Sequence, residues 1–169
     1  MTYDMNGQLM LTNYRQLAEE LTQVAEAAED VEDLMSVIVG RLEERLHHFN
    51  WVGFYMIEKG RLGEDPMLVL GPYVGADTPH KRIPLNQGIC GAAVSSGQTV
   101  VVDDVNADPR YLACSIETRS EIVAPVFVKG KAVGELDIDS HTPAAFTEED
   151  RTLVEHCATL VGNYLEETS

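Results

Sequence analysis

Three cysteines stand in the chain, and two of them occupy settings in which a thiol could react. Cys114 lies in a weakly periodic segment, 103–119, which we predict to be a long irregular loop, and such loops are often functional. Cys90 follows Gly88 at the predicted start of a short helix, where the N-terminal dipole favours a thiolate. Cys157 falls on an apolar helical stripe and is expected to be inert. Incidental buried thiols are the alternative for the first two.

A second chemical group is the pair of carboxylates in the segment GELDIDS. Asp137 and Asp139 are two residues apart, so on a strand they project from one face while their apolar neighbours point to the other. A tight turn at 129–130 would pair this strand with the preceding one and bring Glu121 close to Asp139. Three carboxylates in one place repel each other unless a cation, or a substrate with an ammonium group, lies among them. The cluster therefore indicates a cationic or zwitterionic ligand, with an ordinary exposed sheet face as the alternative.

Hydrophobic spacing predicts the elements that must hold these groups. Apolar residues three and four apart indicate helices over 13–29, from 34 to about 47–48, and along 153–164, where TEED at 147–150 resembles a helix-capping sequence. Small residues after Gly88 indicate a short helix. Aromatic and β-branched runs indicate strands at 51–58, 67–73, 81–83, 99–102, 120–128 and 131–140. This order predicts an α+β fold in which an antiparallel sheet has the terminal helices packed on one face. We expect a single domain over residues 1–169, since 44% of them are hydrophobic.

Composition and charge limit the partners, the location and the cofactors that we expect for this protein. The formal charge of −16 disfavours nucleic acid, because counterion release from a phosphate backbone could hardly drive binding. No apolar run approaches the length of a membrane span and no leader is evident, so we expect a cytoplasmic protein without membrane contact. An odd number of cysteines argues against a secreted disulfide framework. Cys and His ligands show no close-paired spacing, so neither a metal nor a cofactor is expected, with zinc as the weaker alternative.

Five segments of the chain carry a family resemblance. WVGFY, LVLGPYVG, RIPLNQGICGAAV, LACSIETRSEIVAPV and GELDIDS resemble the free methionine-R-sulfoxide reductases, which are small GAF-domain enzymes. The resemblance runs from about Asn50 to Phe146. By position it implies that Cys114 is the attacking cysteine and that Cys90 can form a disulfide with it. It therefore implies thiol-dependent reduction of free methionine-R-sulfoxide to methionine.

The same resemblance assigns the groups that would contact the substrate. Glu121, Asp137 and Asp139 match polar substrate contacts, and Trp51 and Tyr55 match residues around the methyl and sulfoxide end. Trp51 and Tyr55 are four residues apart, which puts both aromatic rings on one strand face, although ordinary core packing is the alternative interpretation.

Recycling of the attacking cysteine departs from the pattern of the family. Many members have a further cysteine shortly before RIP, where this chain reads TPHK at 78–81. Either Cys90 resolves the sulfenic acid of Cys114, with a thioredoxin-like partner opening the disulfide, or an external thiol reduces it directly.

A different class of function is also compatible with the pattern. A non-enzymatic GAF module would bind a small molecule and use its helices for sensing or for dimerisation, and the apolar stripes of the terminal helices could pair a homodimer. R-selective turnover that depends on Cys114 distinguishes the enzyme from the binding module.

Overall fold

Four α-helices, one short 3-10 helix (Val105–Ala107) and six strands lie in residues 11–112 and 115–169, which the computed structural model describes. The helices are α1 (Leu11–Ala27), α2 (Val31–Arg45), α3 (Gly88–Ser96) and α4 (Glu148–Thr168). The strands are β1 (Trp51–Glu58), β2 (Met67–Val74), β3 (Arg82–Pro84), β4 (Val100–Val102), β5 (Ser120–Val128) and β6 (Lys131–Ser140). No helix in these two ranges is long and apolar enough to cross a membrane.

The strands form one antiparallel sheet in the order β3-β2-β1-β6-β5-β4. β5 and β6 are joined by a two-residue turn at Lys129 and Gly130, both with positive φ. The turn fixes the register, because a two-residue connection leaves little freedom in how the strands align. Glu121 consequently pairs with Asp139, as the sequence predicts.

One face of the sheet is covered by α1, α2 and α4. Their apolar stripes bury residues such as Leu21, Ile38 and Val161 against Phe54 and Ile138 of the sheet. A fully buried aliphatic side chain contributes about 1.5–3 kcal/mol, so this face holds most of the apolar stabilisation. The predicted packing of the terminal helices on one face is therefore confirmed.

The helix boundaries differ slightly from the prediction at the α1–α2 junction. α1 ends at Ala27 rather than Glu29 because Asp30 is the N-cap of α2, where its side chain accepts a hydrogen bond from the Asp33 backbone N–H at 2.8 Å. At the other end of the chain, Thr147 and Asp150 form the predicted capping arrangement of α4.

The opposite face carries α3 and the loops around it. α3 lies close to the preceding chain because Gly91 has no side chain: a Cβ there would stand 2.8 Å from the Leu85 carbonyl oxygen. Gly88, at the first position of the helix, has φ of +72°, which glycine adopts at little cost. The glycines of α3 thus let its first turn pack closely against residues 85–86, with Ile89 and Cys90 buried.

Candidate active site

Three acidic side chains lie side by side on the sheet face that α3 covers. In the strand register, Asp139 of β6 stands between Trp51 of β1 and Glu121 of β5, and Asp137 stands two residues further along. Glu121 is 5% exposed and the two aspartates are each 2% exposed. The predicted cluster is therefore brought together, and it lies inside the protein rather than on an exposed face.

Two carboxylate oxygens of this cluster have no hydrogen-bond partner among the described residues. They are Oδ1 of Asp137 and Oδ1 of Asp139, and both are buried. Burial raises the pKa of Asp139 well above its ordinary value, with the charge of Asp137 adding to the effect. Burial also raises the pKa of Asp137, although hydrogen bonds with Glu121 and Cys90 oppose the rise. Such groups favour a proton or a cationic ligand.

Glu135 is a fourth acid on the same face, and the sequence reasoning missed it. It precedes Asp137 by two residues on β6, is 0% exposed, and pairs with Tyr55 and Pro125 on the neighbouring strands. Neither of its carboxylate oxygens has a hydrogen-bond partner in the described ranges. Burial raises its pKa well above the ordinary value, which the nearby Cys90 thiol partly counteracts. The two-residue alternation that identified the aspartates, continued one step back, would have found it.

Cys90 lies in the first turn of α3 and points to the acids. Its Sγ is 3.5 Å from Oδ2 of Asp137, and the side chain is 5% exposed. Burial raises the pKa of this thiol well above its ordinary value, and the charges of Asp137, Glu135 and Glu121 raise it further. The expectation that the helix N-terminus favours a thiolate at Cys90 is therefore wrong, because burial and adjacent carboxylates outweigh the dipole.

Of the other two cysteines, the structure describes Cys157 but not Cys114. Cys157 is fully buried in the core beneath α4, where burial raises its pKa to about 12, and this agrees with the inert role expected for it. Cys114 lies outside the described residues, as does Ala113. Leu112, the last described residue before them, lines the same cavity as Cys90.

Trp51 and Tyr55 share the face of the acids, as their spacing predicts. Their ring centroids are 6.2 Å apart, and Trp51 also stacks on Tyr73 at 5.6 Å. The Trp51 indole N–H donates to the Ala76 carbonyl at 3.0 Å, and the Tyr55 hydroxyl donates to the His80 carbonyl at 2.7 Å. The Trp51 ring lies over Gly53, where a Cβ would collide with it. Both aromatic side chains are thus held in fixed orientations.

A small cavity joins these groups. Its walls include Tyr55, His80, Cys90, Glu121 and Asp137. The volume open to the centre of a water molecule is about 10 Å³, which is enough for roughly one water-sized species. The described arrangement therefore combines a thiol, several protonatable acids and an aromatic wall around a space that must widen before an amino acid can enter.

Comparison with known proteins identifies the fold and the family. The model of the GAF domain matches residues 16–165. The protein YtsP of Bacillus subtilis is 38% identical over 138 residues, 82% of each chain. Free methionine-R-sulfoxide reductase of Escherichia coli is 43% identical over 109 residues, which are 64% of this chain and 62% of the bacterial enzyme.

A solved structure agrees with this relationship over nearly the whole chain. Free methionine-R-sulfoxide reductase of Neisseria meningitidis, in complex with its substrate, is 33% identical and superimposes with a TM-score of 0.85. The superposition covers 98% of this chain and 95% of the Neisseria chain. On its fold and on these relatives, the chain belongs to the free methionine-R-sulfoxide reductase family of GAF-domain proteins.

Proposed function

We propose that this protein reduces free methionine-R-sulfoxide to methionine. The observation that carries the proposal is the set of buried acids with unpartnered oxygens, Asp137 and Asp139, next to a thiol and an aromatic wall. Buried polar atoms without partners cost free energy, so a ligand that satisfies them is strongly favoured. A free amino acid supplies an ammonium group, which is the complement that these oxygens require.

Binding of the substrate follows from the positions of the groups. The ammonium group lies against the oxygens of Asp137, Asp139 and Glu121, and the S-methyl group packs against Trp51 and Tyr55. The cavity must widen for this, because its present volume of about 10 Å³ admits a single small species. Closure around the bound substrate then removes water from the reacting sulfur.

The chemical step uses Cys114 as the attacking group. Its thiolate attacks the sulfoxide sulfur, and a protonated carboxyl of the cluster donates a proton to the oxygen. The protonated oxygen is then transferred to the Cys114 sulfur as the bond between the two sulfurs and the original sulfur–oxygen bond break. Cys114 becomes a sulfenic acid, oxidised by two electrons, and methionine is released with its sulfur reduced by two electrons. The raised pKa values of Asp137 and Asp139 support this role, because acids that keep their protons can act as donors.

Recycling uses Cys90 as the resolving group. Its thiol condenses with the sulfenic acid to form a disulfide and water, and a thioredoxin-like dithiol in the cytoplasm reduces that disulfide. What supports this step is that Leu112 lines the cavity beside Cys90, since two further residues span at most about 7 Å of chain. The high pKa of Cys90, which burial and the charge of Asp137 both raise, makes it a slow nucleophile in this step.

Separate turnover of the two diastereomers tests the proposal. The protein, reduced and supplied with dithiothreitol, is expected to consume the R sulfoxide of free methionine and leave the S sulfoxide. Cys114→Ser should abolish turnover, whereas Cys157→Ser, which removes a thiol on the other face, should retain it. Equal turnover of both sulfoxides, or full turnover by Cys114→Ser, would reject the proposed reduction.

A second assay isolates the resolving step. After one equivalent of substrate and no reductant, mass spectrometry of the wild-type peptides is expected to show Cys90 linked to Cys114. Cys90→Ser should instead accumulate a sulfenic acid that dimedone traps, and it should still release one equivalent of methionine. A wild-type protein that never forms this disulfide would assign recycling to an external thiol.

A further inference from the structure

We propose that the reduced protein binds one divalent cation of the zinc class through Cys90, Glu121 and Asp137. This goes beyond the proposed reduction, because the cation binds without substrate and competes with it for the same carboxylates. The three ligands come from α3, β5 and β6, and each offers one atom. They are far apart in the sequence, which is why the spacing of Cys and His residues does not indicate a site.

The distances between the ligand atoms suit a tetrahedral ion. All three atoms lie within 4.8 Å of one another, and all three residues are buried. Zinc bonds of roughly 2.3 Å to sulfur and 2.0 Å to oxygen give a sulfur–oxygen edge of roughly 3.5 Å in a tetrahedron. Cys90 Sγ and Asp137 Oδ2 are 3.5 Å apart, so one edge of the site is already formed. The edges to Glu121 are no longer than 4.8 Å, and binding of the ion would shorten them.

The unpartnered oxygens suit a cation in the substrate-free protein, where no ammonium group satisfies them. Oδ1 of Asp137 has no hydrogen-bond partner in the described residues, and neither do the two oxygens of Glu135 beside Cys90. Glu135 is 0% exposed and Asp137 is 2% exposed. A cation among these groups satisfies buried oxygens, and it offsets the repulsion between neighbouring carboxylates.

The space available also fits an ion rather than a larger ligand. The cavity that Cys90, Glu121 and Asp137 line leaves about 10 Å³ for the centre of a water-sized sphere. One ion therefore needs little rearrangement, whereas methionine sulfoxide needs the walls to move. Three protein ligands leave the fourth position of a tetrahedron open.

The ligand set determines which ions are selected. A thiolate with two carboxylates is a borderline site that suits Zn²⁺ and Co²⁺, while Mg²⁺ and Ca²⁺ prefer shells made wholly of oxygen. The sulfur also separates this proposal from its competitors. A buried water or a substrate ammonium group can satisfy the carboxylate oxygens, but neither requires Cys90 as a thiolate.

Titration of the reduced, chelator-treated protein with Zn²⁺ and Co²⁺, in the absence of substrate, tests the site. Competition with a chromogenic chelator is expected to give one Zn²⁺ per chain, and Co²⁺ should produce the ultraviolet charge-transfer band of a cobalt–thiolate bond. Because no turnover is measured, failure of the proposed reduction leaves this result unaffected. A millimolar excess of Mg²⁺ should not displace the bound Zn²⁺.

Matched variants decide which thiol binds the metal. Cys90→Ser should lose the cobalt band and weaken Zn²⁺ binding by more than about 100-fold, beyond the effect typical of outer-shell partners. Cys157→Ser keeps two thiols, as Cys90→Ser does, and it should bind Zn²⁺ and Co²⁺ as the wild type does. Asp137→Asn and Glu121→Gln, which keep the side-chain shape, should weaken binding while retaining the band at saturating Co²⁺. A wild-type protein that binds no equivalent of Zn²⁺, or a Cys90→Ser protein that keeps the band, would overturn the proposal.

Discussion

Cys90 Sγ of α3 lies 3.5 Å from Oδ2 of Asp137 on β6, and both residues are buried. The contact joins a thiol whose pKa is raised by burial and by neighbouring charges to a carboxyl whose pKa is raised by burial. The Asp137 oxygen accepts the hydrogen bond of the thiol, and a negative charge on this carboxyl makes the thiol harder to ionise.

Replacing Asp137 by asparagine is expected to make Cys90 more reactive toward small thiol reagents. The amide keeps the shape of the side chain but carries no negative charge, so the pKa of the Cys90 thiol falls toward its ordinary value. The measurement is the pH dependence of modification by methyl methanethiosulfonate in a Cys114→Ser, Cys157→Ser background, where Cys90 is the remaining thiol.

The midpoint of this pH profile should move to lower pH in Asp137→Asn and stay in place in Asp65→Asn, which changes an exposed carboxyl in a loop. The same Asp137 substitution should reduce turnover of methionine-R-sulfoxide by about 10²-fold or more, since it removes a substrate contact and a proton donor. An unchanged midpoint would show that Asp137 does not control the thiol.

Replacing Glu135 by methionine is expected to stabilise the fold. The wild-type side chain is 0% exposed and its two oxygens have no partner among the described residues, so an apolar side chain of similar length removes a desolvation cost of about 1–3 kcal/mol. Urea denaturation should give a higher midpoint with the same slope. Glu19→Met, at an exposed position on α1, serves as the control and should change the free energy of unfolding by less than about 0.5 kcal/mol.

Glu135 also gives stability a definite dependence on pH. Its pKa is raised in the folded state, so the folded protein holds a proton that the unfolded chain releases near 4.5. The free energy of unfolding therefore falls as pH rises from that value through the folded pKa. Glu135→Gln cannot titrate and should show a smaller fall over the same range, which denaturation at a series of pH values measures. Equal slopes for the two proteins would contradict a protonated Glu135.

Asp150 is expected to make the free energy of unfolding depend on pH in the opposite direction, at acid pH. Burial alone would raise its pKa, but hydrogen bonds from His48 at 2.9 Å, the Thr147 backbone at 2.8 Å and Tyr14 at 2.7 Å hold it below its ordinary value. A lowered folded pKa contributes stability that is present above the unfolded value of 3.8 and is lost as pH falls through the folded pKa.

Asp150→Asn should lose this contribution and weaken the N-cap of α4, which together cost about 1–2 kcal/mol at neutral pH. Denaturation between neutral and acid pH is expected to show the difference between the two proteins shrinking as pH falls. Glu149→Gln removes a charge from the same helical turn at an exposed position and should leave stability nearly unchanged. A constant difference across the pH range would rule out titration of Asp150 as the cause.

The sequence predicts the parts of the site that follow from local geometry. Strand alternation places Asp137 and Asp139 on one face, and the turn at Lys129 and Gly130 sets Glu121 opposite Asp139. The charge state of Cys90 could not be predicted, because it depends on how closely α3 packs over β6 and on burial that local spacing does not report. The set of metal ligands could not be predicted for the same reason, since its three residues meet only through tertiary packing.

The close packing of α3 against residues 85–86 depends on Gly91, and an alanine there is expected to disturb the site. The added Cβ would stand 2.8 Å from the Leu85 carbonyl oxygen and 3.2 Å from the Asn86 carbonyl carbon. Both are backbone atoms that cannot rotate away, so the first turn of α3 must shift and carry Cys90 with it. Gly91→Ala should therefore lower the free energy of unfolding by about 1–3 kcal/mol and slow formation of the Cys90 disulfide. Gly40→Ala is the matched control, because a Cβ at that position in α2 meets nothing within 4 Å and should stabilise the protein by about 0.5–1 kcal/mol through helix propensity. If both alanine variants gain stability and keep normal disulfide formation, the contact between α3 and residues 85–86 does not position the thiol.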